Sequence, residues 1–119
     1  VRARIEERVS AVPPAERALC FFDWVVEWAE SPGFRGCPLQ HVVAEMSDPA
    51  HPARVAAAAQ RAWMRGKFLE WAKAAGAKDP QATAGAMLVL FDGAVAAAEQ
   101  DGPQRARDAR RLAALLLAR

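Results

Sequence analysis

Three side chains that can bind metals or react as nucleophiles lie close together in the stretch GFRGCPLQHVVAE, residues 33–45. Cys37 directly precedes a proline, which suits the first turn of a helix and leaves the thiol at the N-cap, where the helix dipole favours a thiolate. His41 and Glu45 are four residues apart and therefore share one face of that helix. The pattern is compatible with a reactive thiol, a metal site, or a turn of the chain into a new helix.

A metal site needs more ligands than this pair supplies. Two ligands do not close a coordination sphere, and the chain has only one other histidine, His51. We therefore expect no metal and no cofactor, and we place His41 in the polar wall of a pocket. Cys37 is a candidate reactive thiol, beside the simpler interpretation of a small buried side chain.

Composition and charge narrow the class of protein. The chain has 119 residues, which suits one domain, and hydrophobic residues make up 53% of it. Sixteen basic residues against fourteen acidic ones give a net charge of +2, and the basic residues form no stripe of the kind that binds nucleic acid. We find neither a secretion signal nor an apolar run of membrane-spanning length, so we expect a cytoplasmic protein whose Cys20 and Cys37 are free thiols.

Periodicity and the positions of proline and glycine predict six helices and no strand. They run from Arg2 to about Val12, from Pro14 to Glu30, from Pro38 to about Met46, from about Ala53 to Ala75, from Pro80 to about Gln100, and from Gln104 to Arg119. The fourth has one small and one bulky face, which predicts a central helix packed on two sides. The fifth is apolar nearly all round, so its Asp92 must find a partner, lie at an exposed edge or face a cavity.

The sequence resembles the C-terminal effector domain of TetR-type transcriptional repressors. One large subgroup carries the pattern F-R-G-C-P-F-x-N-A-x-A-E, which the chain matches at Phe34, Arg35, Gly36, Cys37, Pro38, Ala44 and Glu45. It departs from the pattern at Leu39, His41 and Val42. The resemblance continues through Trp63, Gly76, Asp79, Pro80, Asp92 and Gly93, and so covers nearly the whole chain.

This resemblance implies an all-α fold in which residues 1–119 form one ligand-binding and dimerisation domain. Residues 1–12 would connect it to a DNA-binding domain that is missing from this chain, which starts at Val1 without a methionine. The implied partners are a small-molecule effector, a second copy of the chain, and operator DNA through the missing domain only; no membrane is expected. The alternative is a small helical-bundle enzyme or thiol-based redox sensor using Cys37 or a His41/Glu45 site. No nucleophile with its base and orienting group can be assembled, so we expect no enzyme.

Residue size predicts a cavity and an interface. Small residues of the fourth helix, Ala59, Ala62 and Gly66, leave room for a cavity bounded by the second to fifth helices. Its candidate ligand-binding residues are Phe21, Trp24, His41, Trp63, Met87 and Phe91. The last two helices carry more apolar surface than one chain can cover, which predicts a homodimer with a four-helix interface. The residues expected there are Ala86, Leu90, Gly93, Ala97, Leu112, Ala113 and Leu116.

Overall fold

Six α-helices and no strand make up residues 1–118, the part of the chain that our computed structural model describes. The helices are α1 (Arg2–Ser10), α2 (Arg17–Glu30), α3 (Pro38–Glu45), α4 (Pro52–Ala74), α5 (Pro80–Asp101) and α6 (Gln104–Leu117). A short 3-10 turn, Pro14–Glu16, leads into α2. The predicted all-α class and all six helices are confirmed, with small shifts at their ends. Only the predicted end of the sixth helix at Arg119 lies outside the described residues.

Proline, glycine and one acidic cap fix the ends of the two longest helices. The carboxylate of Asp79 accepts the backbone N–H of Ala82 at 3.1 Å, which satisfies one of the free donors at the start of α5. After α4, Gly76 takes a left-handed φ of +78°, and the N–H of Ala77 reaches back to the carbonyl of Ala72 at 3.0 Å. Asp79 is the N-cap that the sequence predicts, whereas the C-cap of α4 is Ala75 and the predicted Gly76 is the residue after it.

The core forms around an aromatic ring of α2. Phe21 is 0% exposed, and its ring centroid lies 5.3 Å from that of Phe68, 5.4 Å from that of Trp71 and 5.5 Å from that of Phe91. These rings belong to α4 and α5, so one side chain of α2 joins three helices. Small and aliphatic residues of α1 and α6 close the other sides of this core: Ile5, Val9, Ala106, Ala109 and Ala113.

The fully buried residues of the fourth helix lie on one face only, so the prediction of a central helix with two buried faces is wrong. Its buried residues all belong to the bulky side: Ala57, Met64, Phe68, Trp71 and Ala72. The small face points to solvent instead, since Ala59, Ala62 and Gly66 are exposed. Alanine is the best helix former, so an alanine-rich face needs no partner to be helical.

The fifth helix is long and apolar enough to cross a membrane, judged by length and composition alone. Its mean hydropathy is 1.4 over a window of 18 residues, which corrects our expectation that no apolar run has this length. Core helices of soluble proteins meet the same criterion, and 28% of that window is buried inside the chain. Because α5 also packs along α4 and α6, its composition alone does not indicate a membrane protein.

Replacing Phe21 by alanine should lower the free energy of unfolding by about 3–5 kcal/mol, because it leaves a cavity among the surrounding rings. The matched control is Val55→Ala on α4, at a position that is 56% exposed. Its effect should stay within about 0.5 kcal/mol. Urea unfolding followed by circular dichroism measures both, and similar losses for the two variants would contradict this account of the core.

Candidate ligand-binding site

The stretch that precedes α3 is a sharp turn that fits closely against α5. Gly33 and Gly36 have φ values of +76° and +77°, in the left-handed region that favours glycine. Gly36 is buried, and a Cβ built there would lie 2.9 Å from the carboxylate carbon of Glu99, the end of a flexible side chain that can shift aside. Pro38 then starts α3 with Cys37 at the N-cap, and the thiol makes no capping hydrogen bond. This stretch turns the chain and sets α3 against α5.

Packing against α4 and polar contacts to α5 hold α3 in place. Each of its eight residues is at least partly exposed. The Nε2 group of Gln40 donates to the Asp92 carbonyl at 3.3 Å, and Nε2 of His41 lies 3.1 Å from Oε1 of Glu99. Both contacts connect α3 to α5.

A cavity of about 600 Å³ lies between α3, α4 and α5, a size typical of small-molecule sites. Most of its wall is apolar: Leu39, Val43, Pro49, Ala57, Ala58, Met64, Leu88, Phe91 and Ala96. The polar residues of the wall are Cys37, Gln40, Arg54, Gln60, Arg61 and Asp92. Such a wall suits a mostly apolar molecule that carries a few polar groups.

An ion pair between α4 and α5 forms the centre of the polar wall. Nη1 and Nη2 of Arg61 donate to Oδ1 and Oδ2 of Asp92 at 2.5 and 2.6 Å. The bond to the Asp92 carboxylate, opposed by partial burial, raises the pKa of Arg61 above its ordinary value. Gln40 adds a contact from α3 to the same aspartate. Asp92 therefore has the partner that an ionisable residue in an apolar helix requires, and the structure identifies it as Arg61.

The cavity runs along α4 from an open end to a closed one. Arg54 and Met64 are ten residues apart on this helix, which places them about 15 Å apart at the helical rise. Met64 is 4% exposed and borders the core, whereas Val43 is 50% exposed and Ala58 is exposed. At the open end, Nη1 of Arg54 donates to the carbonyl of Met46, just beyond α3, at 2.5 Å. The closed end is apolar, and the mouth contains a guanidinium group.

Two crystal structures are similar to this chain over most of its length. SCO4454, a TetR-family transcriptional regulator from Streptomyces coelicolor, matches with 30% identity and a TM-score of 0.91 over 98% of this chain and 62% of its own. SAV143 from Streptomyces avermitilis, assigned to the TetR transcriptional regulators, matches with 30% identity and a TM-score of 0.70 over 92% of this chain and 72% of its own. The chain belongs to the TetR family of transcriptional regulators.

This TetR-family chain thus spans less than two thirds of SCO4454. No protein-family model matches the sequence, and no curated protein matches it. Both structural relatives are transcriptional regulators. This agrees with a regulator role for the present chain and lends no support to the small-enzyme alternative.

Some residues predicted to bind a ligand lie on the cavity wall of this TetR-family chain and others lie in its core. Of the predicted ligand-binding residues, Phe91 is a wall residue, and Cys37, the candidate reactive thiol, also lines the wall. Phe21 and Met87 are both 0% exposed and belong to the core. The second helix supplies none of the described wall residues, so the cavity is bounded by three helices and not by the four we expected.

The two tryptophans predicted for the ligand site pack elsewhere. Trp24 stacks on Phe21, with ring centroids 5.8 Å apart, and on Trp28 at 5.4 Å. Trp63 lies on the other side of α4, where the Arg2 guanidinium sits 5.3 Å from its ring. Aromatic residues lend themselves to burial because of their large apolar area, and here most of them build the core rather than the cavity.

His41, the last of the predicted ligand-binding residues, pairs with α5 outside the cavity wall. Its partner is Glu99, and the sequence neighbour Glu45 is not involved in that contact. Within residues 1–118, no group of three or more histidine, cysteine, aspartate or glutamate side chains is placed to hold a metal ion. His41 and Glu45 are therefore two exposed residues on neighbouring turns of α3, and their spacing does not indicate a metal site.

The polar wall residues supplied by α4 were not predicted from the sequence. The wall residues Arg54, Ala58, Arg61 and Met64 follow one another at spacings of three or four residues, the period of one helix face. The helical period was visible in the sequence, but two arginines and an alanine do not by themselves mark a helix face as the wall of an apolar cavity. Asp92 was the usable clue, since a carboxylate in an apolar helix indicates a charged partner nearby.

The predicted interface residues are divided between surface and interior. On the outer side of α5 and α6, four large apolar side chains are exposed: Val89 by 71%, Leu115 by 66%, Leu112 by 47% and Leu116 by 38%. Gly93 is exposed, and Ala86, Leu90 and Ala97 are partly exposed. Ala113 is 0% exposed and packs inside its own chain. Val89 and Leu115 are the most exposed of this set and were not predicted.

We predict that Cys37 reacts with a maleimide at neutral pH faster than Cys20. Cys37 lies partly exposed on the cavity wall, whereas Cys20 is 4% exposed and donates to the carbonyl of Arg8 at 3.4 Å. Burial raises the pKa of the Cys20 thiol, against the opposing effect of the Arg8 guanidinium. Labelling of Cys20 should therefore keep rising at pH values above the ordinary pKa of a thiol.

The two single-thiol variants, Cys20→Ala and Cys37→Ala, separate the two rates by mass spectrometry. Equal and slow labelling of both thiols would contradict this prediction and would indicate that Cys37 has a purely structural role.

Proposed function

We propose that this chain is the effector-binding and dimerisation region of a cytoplasmic TetR-family repressor. It would bind a small, largely apolar molecule between α3, α4 and α5. The observation that carries the proposal is the cavity of about 600 Å³ in a chain of this family, with an apolar wall and a few polar groups that can orient a ligand. Operator DNA would be bound by a part of the protein outside residues 1–119.

The attachment of α3 supports a role in sensing. This helix forms one wall of the cavity and has no buried residue; it packs against α4 and contacts α5 through Gln40 and His41. A ligand that contacts α3 can favour one of its positions over another, which is the differential affinity that a conformational shift requires. In the intact repressor, such a shift would change how the two DNA-binding parts are placed.

The proposal predicts that the chain binds small apolar molecules and that Ala58→Trp weakens this binding about tenfold or more. Ala58 is exposed at the mouth, so the indole ring would occupy the cavity without disturbing the core. The matched control is Ala59→Trp, because the next residue is also exposed but does not line the cavity. A panel of alkyl and aryl compounds, measured by thermal shift and calorimetry, tests both variants.

The compounds that bind should also release operator DNA from the intact repressor. If no compound of any class binds the wild-type chain, or if Ala58→Trp and Ala59→Trp weaken binding equally, the proposed function fails.

We further propose that the chain is a homodimer through α5 and α6. Support comes from the four exposed large side chains on these helices, together with the small residues Gly85 and Gly93 beside them on α5. A Cβ added at either glycine would meet nothing within 4 Å inside the chain, so another helix can approach closely there. Two helices from each copy, related by a two-fold axis, would form a four-helix interface.

A glutamate on this surface should dissociate the dimer. Sedimentation at micromolar concentration should give the wild-type chain about twice the mass of one copy, which is 12.9 kDa. Val89→Glu should shift that mass toward one copy, since the charge would have to be buried. Val55→Glu is the matched control, at a position on α4 with 56% exposure against 71% for Val89. A monomeric wild-type chain, or equal dissociation by both variants, would contradict the proposed interface.

A further inference from the structure

We infer that the ligand is a carboxylic acid with an apolar body, and that Arg54 binds its carboxylate at the mouth of the cavity. This assignment deepens the proposed function and rests on it. It follows from the charges of the wall, from the position of each charge along the cavity, and from the apolar character of the closed end.

The two arginines of the wall differ in what they can offer a ligand. Arg61 already donates two hydrogen bonds to Asp92, and the charges of this pair compensate each other. Arg54 donates through Nη1 to the neutral carbonyl of Met46 and makes no ion pair within residues 1–118. Asp92 is the one acidic residue in the described wall. The wall therefore carries one uncompensated positive charge, and it lies on Arg54.

The nearest acidic residue in sequence on the α3 side of the mouth does not supply the missing charge. Oδ1 of Asp48 accepts the backbone N–H of Ala50 at 2.9 Å, and its carboxylate forms no ion pair with Arg54 among the described residues. A guanidinium group has five N–H donors. With Nη1 engaged at Met46, the edge formed by Nε and Nη2 can still bind both oxygens of a carboxylate.

The charge of Arg54 affects which ligand binds, because binding changes its contact with water. A molecule that fills the mouth removes water from a guanidinium group that is already partly buried. A neutral or cationic molecule leaves that charge uncompensated, which is unfavourable in an apolar surrounding. A carboxylate compensates it with short, charge-assisted hydrogen bonds. The wall therefore favours an anion over a neutral analogue of the same shape.

The apolar end of the cavity determines that the rest of the acid, apart from its carboxylate, is apolar. Beyond the Arg61–Asp92 pair, the closed end is formed by Met64, Leu88 and Phe91. Met64 lies about 15 Å from Arg54 along α4. An alkyl or aryl body reaching from the mouth to this end would bury its apolar surface there. The body of the ligand would lie beside the Arg61–Asp92 ion pair, whose two charges already compensate each other.

Matched sets of compounds with one body and different head groups test the assignment. We would measure binding to the wild-type chain, by calorimetry below the aggregation concentration of each compound, for decanoate, decanamide and decylamine. A second set consists of 1-naphthylacetate and 1-naphthylacetamide. The acid of each set should bind about tenfold or more tightly than its amide, and the amine most weakly.

Variants of Arg54 test whether this residue is the source of the preference. Arg54→Gln should bring the affinities of acid and amide close together, and Arg54→Lys should keep part of the preference because it keeps the charge. Arg65→Gln is the matched control, since Arg65 is an exposed arginine of α4 outside the cavity wall. It should leave the preference unchanged. The comparison of head groups on the wild-type chain needs no variant, so it stands even if Arg54→Gln is unstable.

Three outcomes have different meanings. A preference for acids that depends on Arg54 supports the assignment. Binding of amides as tight as that of acids, or an acid preference that Arg54→Gln leaves intact, overturns the assignment while the proposed function stands. If no member of either set and no compound of the wider panel binds, the proposed function itself fails.

Discussion

Asp92 is the one charged side chain in the apolar central part of α5, and the structure around the cavity depends on how its charge is compensated. An unpaired carboxylate at this place would be costly, so an arginine has to reach it. Arg61 does so with both terminal nitrogens, which links α4 to α5 at the cavity. Gln40 bonds to the backbone of the same residue, which places α3 across the gap. Three walls of the cavity therefore meet at one aspartate.

Different sides of α5 face the core, the cavity and the solvent. One side carries Met87 and Val95 into the core, a second carries Leu88 and Asp92 to the cavity, and a third carries Val89 to the surface. An apolar sequence is needed on all three sides, for different reasons. This explains why α5 has the composition of a membrane span although it packs along α4 and α6 as part of a layered helical fold.

The fold could be predicted from the sequence because the helix ends are encoded locally. Pro38, Pro80 and Gly76 each act on their own turn, and such signals do not depend on distant residues. The rotation of each helix about its axis is not encoded in this way. In α4 the rotation is set by bulky residues near the C-terminal end. Phe68 and Trp71 enter the core, and this turns Ala59 outward. That rotation decides which residues line the cavity, so the wall was harder to predict than the helices.

Gln60 belongs to two parts of the structure at once. Its side chain lines the cavity, and its Oε1 accepts a hydrogen bond of 2.7 Å from Nε of Arg2 in the first helix. A bound molecule that draws this amide toward itself competes with Arg2 for the same oxygen. Coupling of this kind is mutual: whatever pulls α1 away from α4 then changes the affinity of the cavity by the same factor by which occupancy of the cavity loosens α1. A ligand that bonds to the Gln60 amide would in this way also act on the contact between α1 and α4.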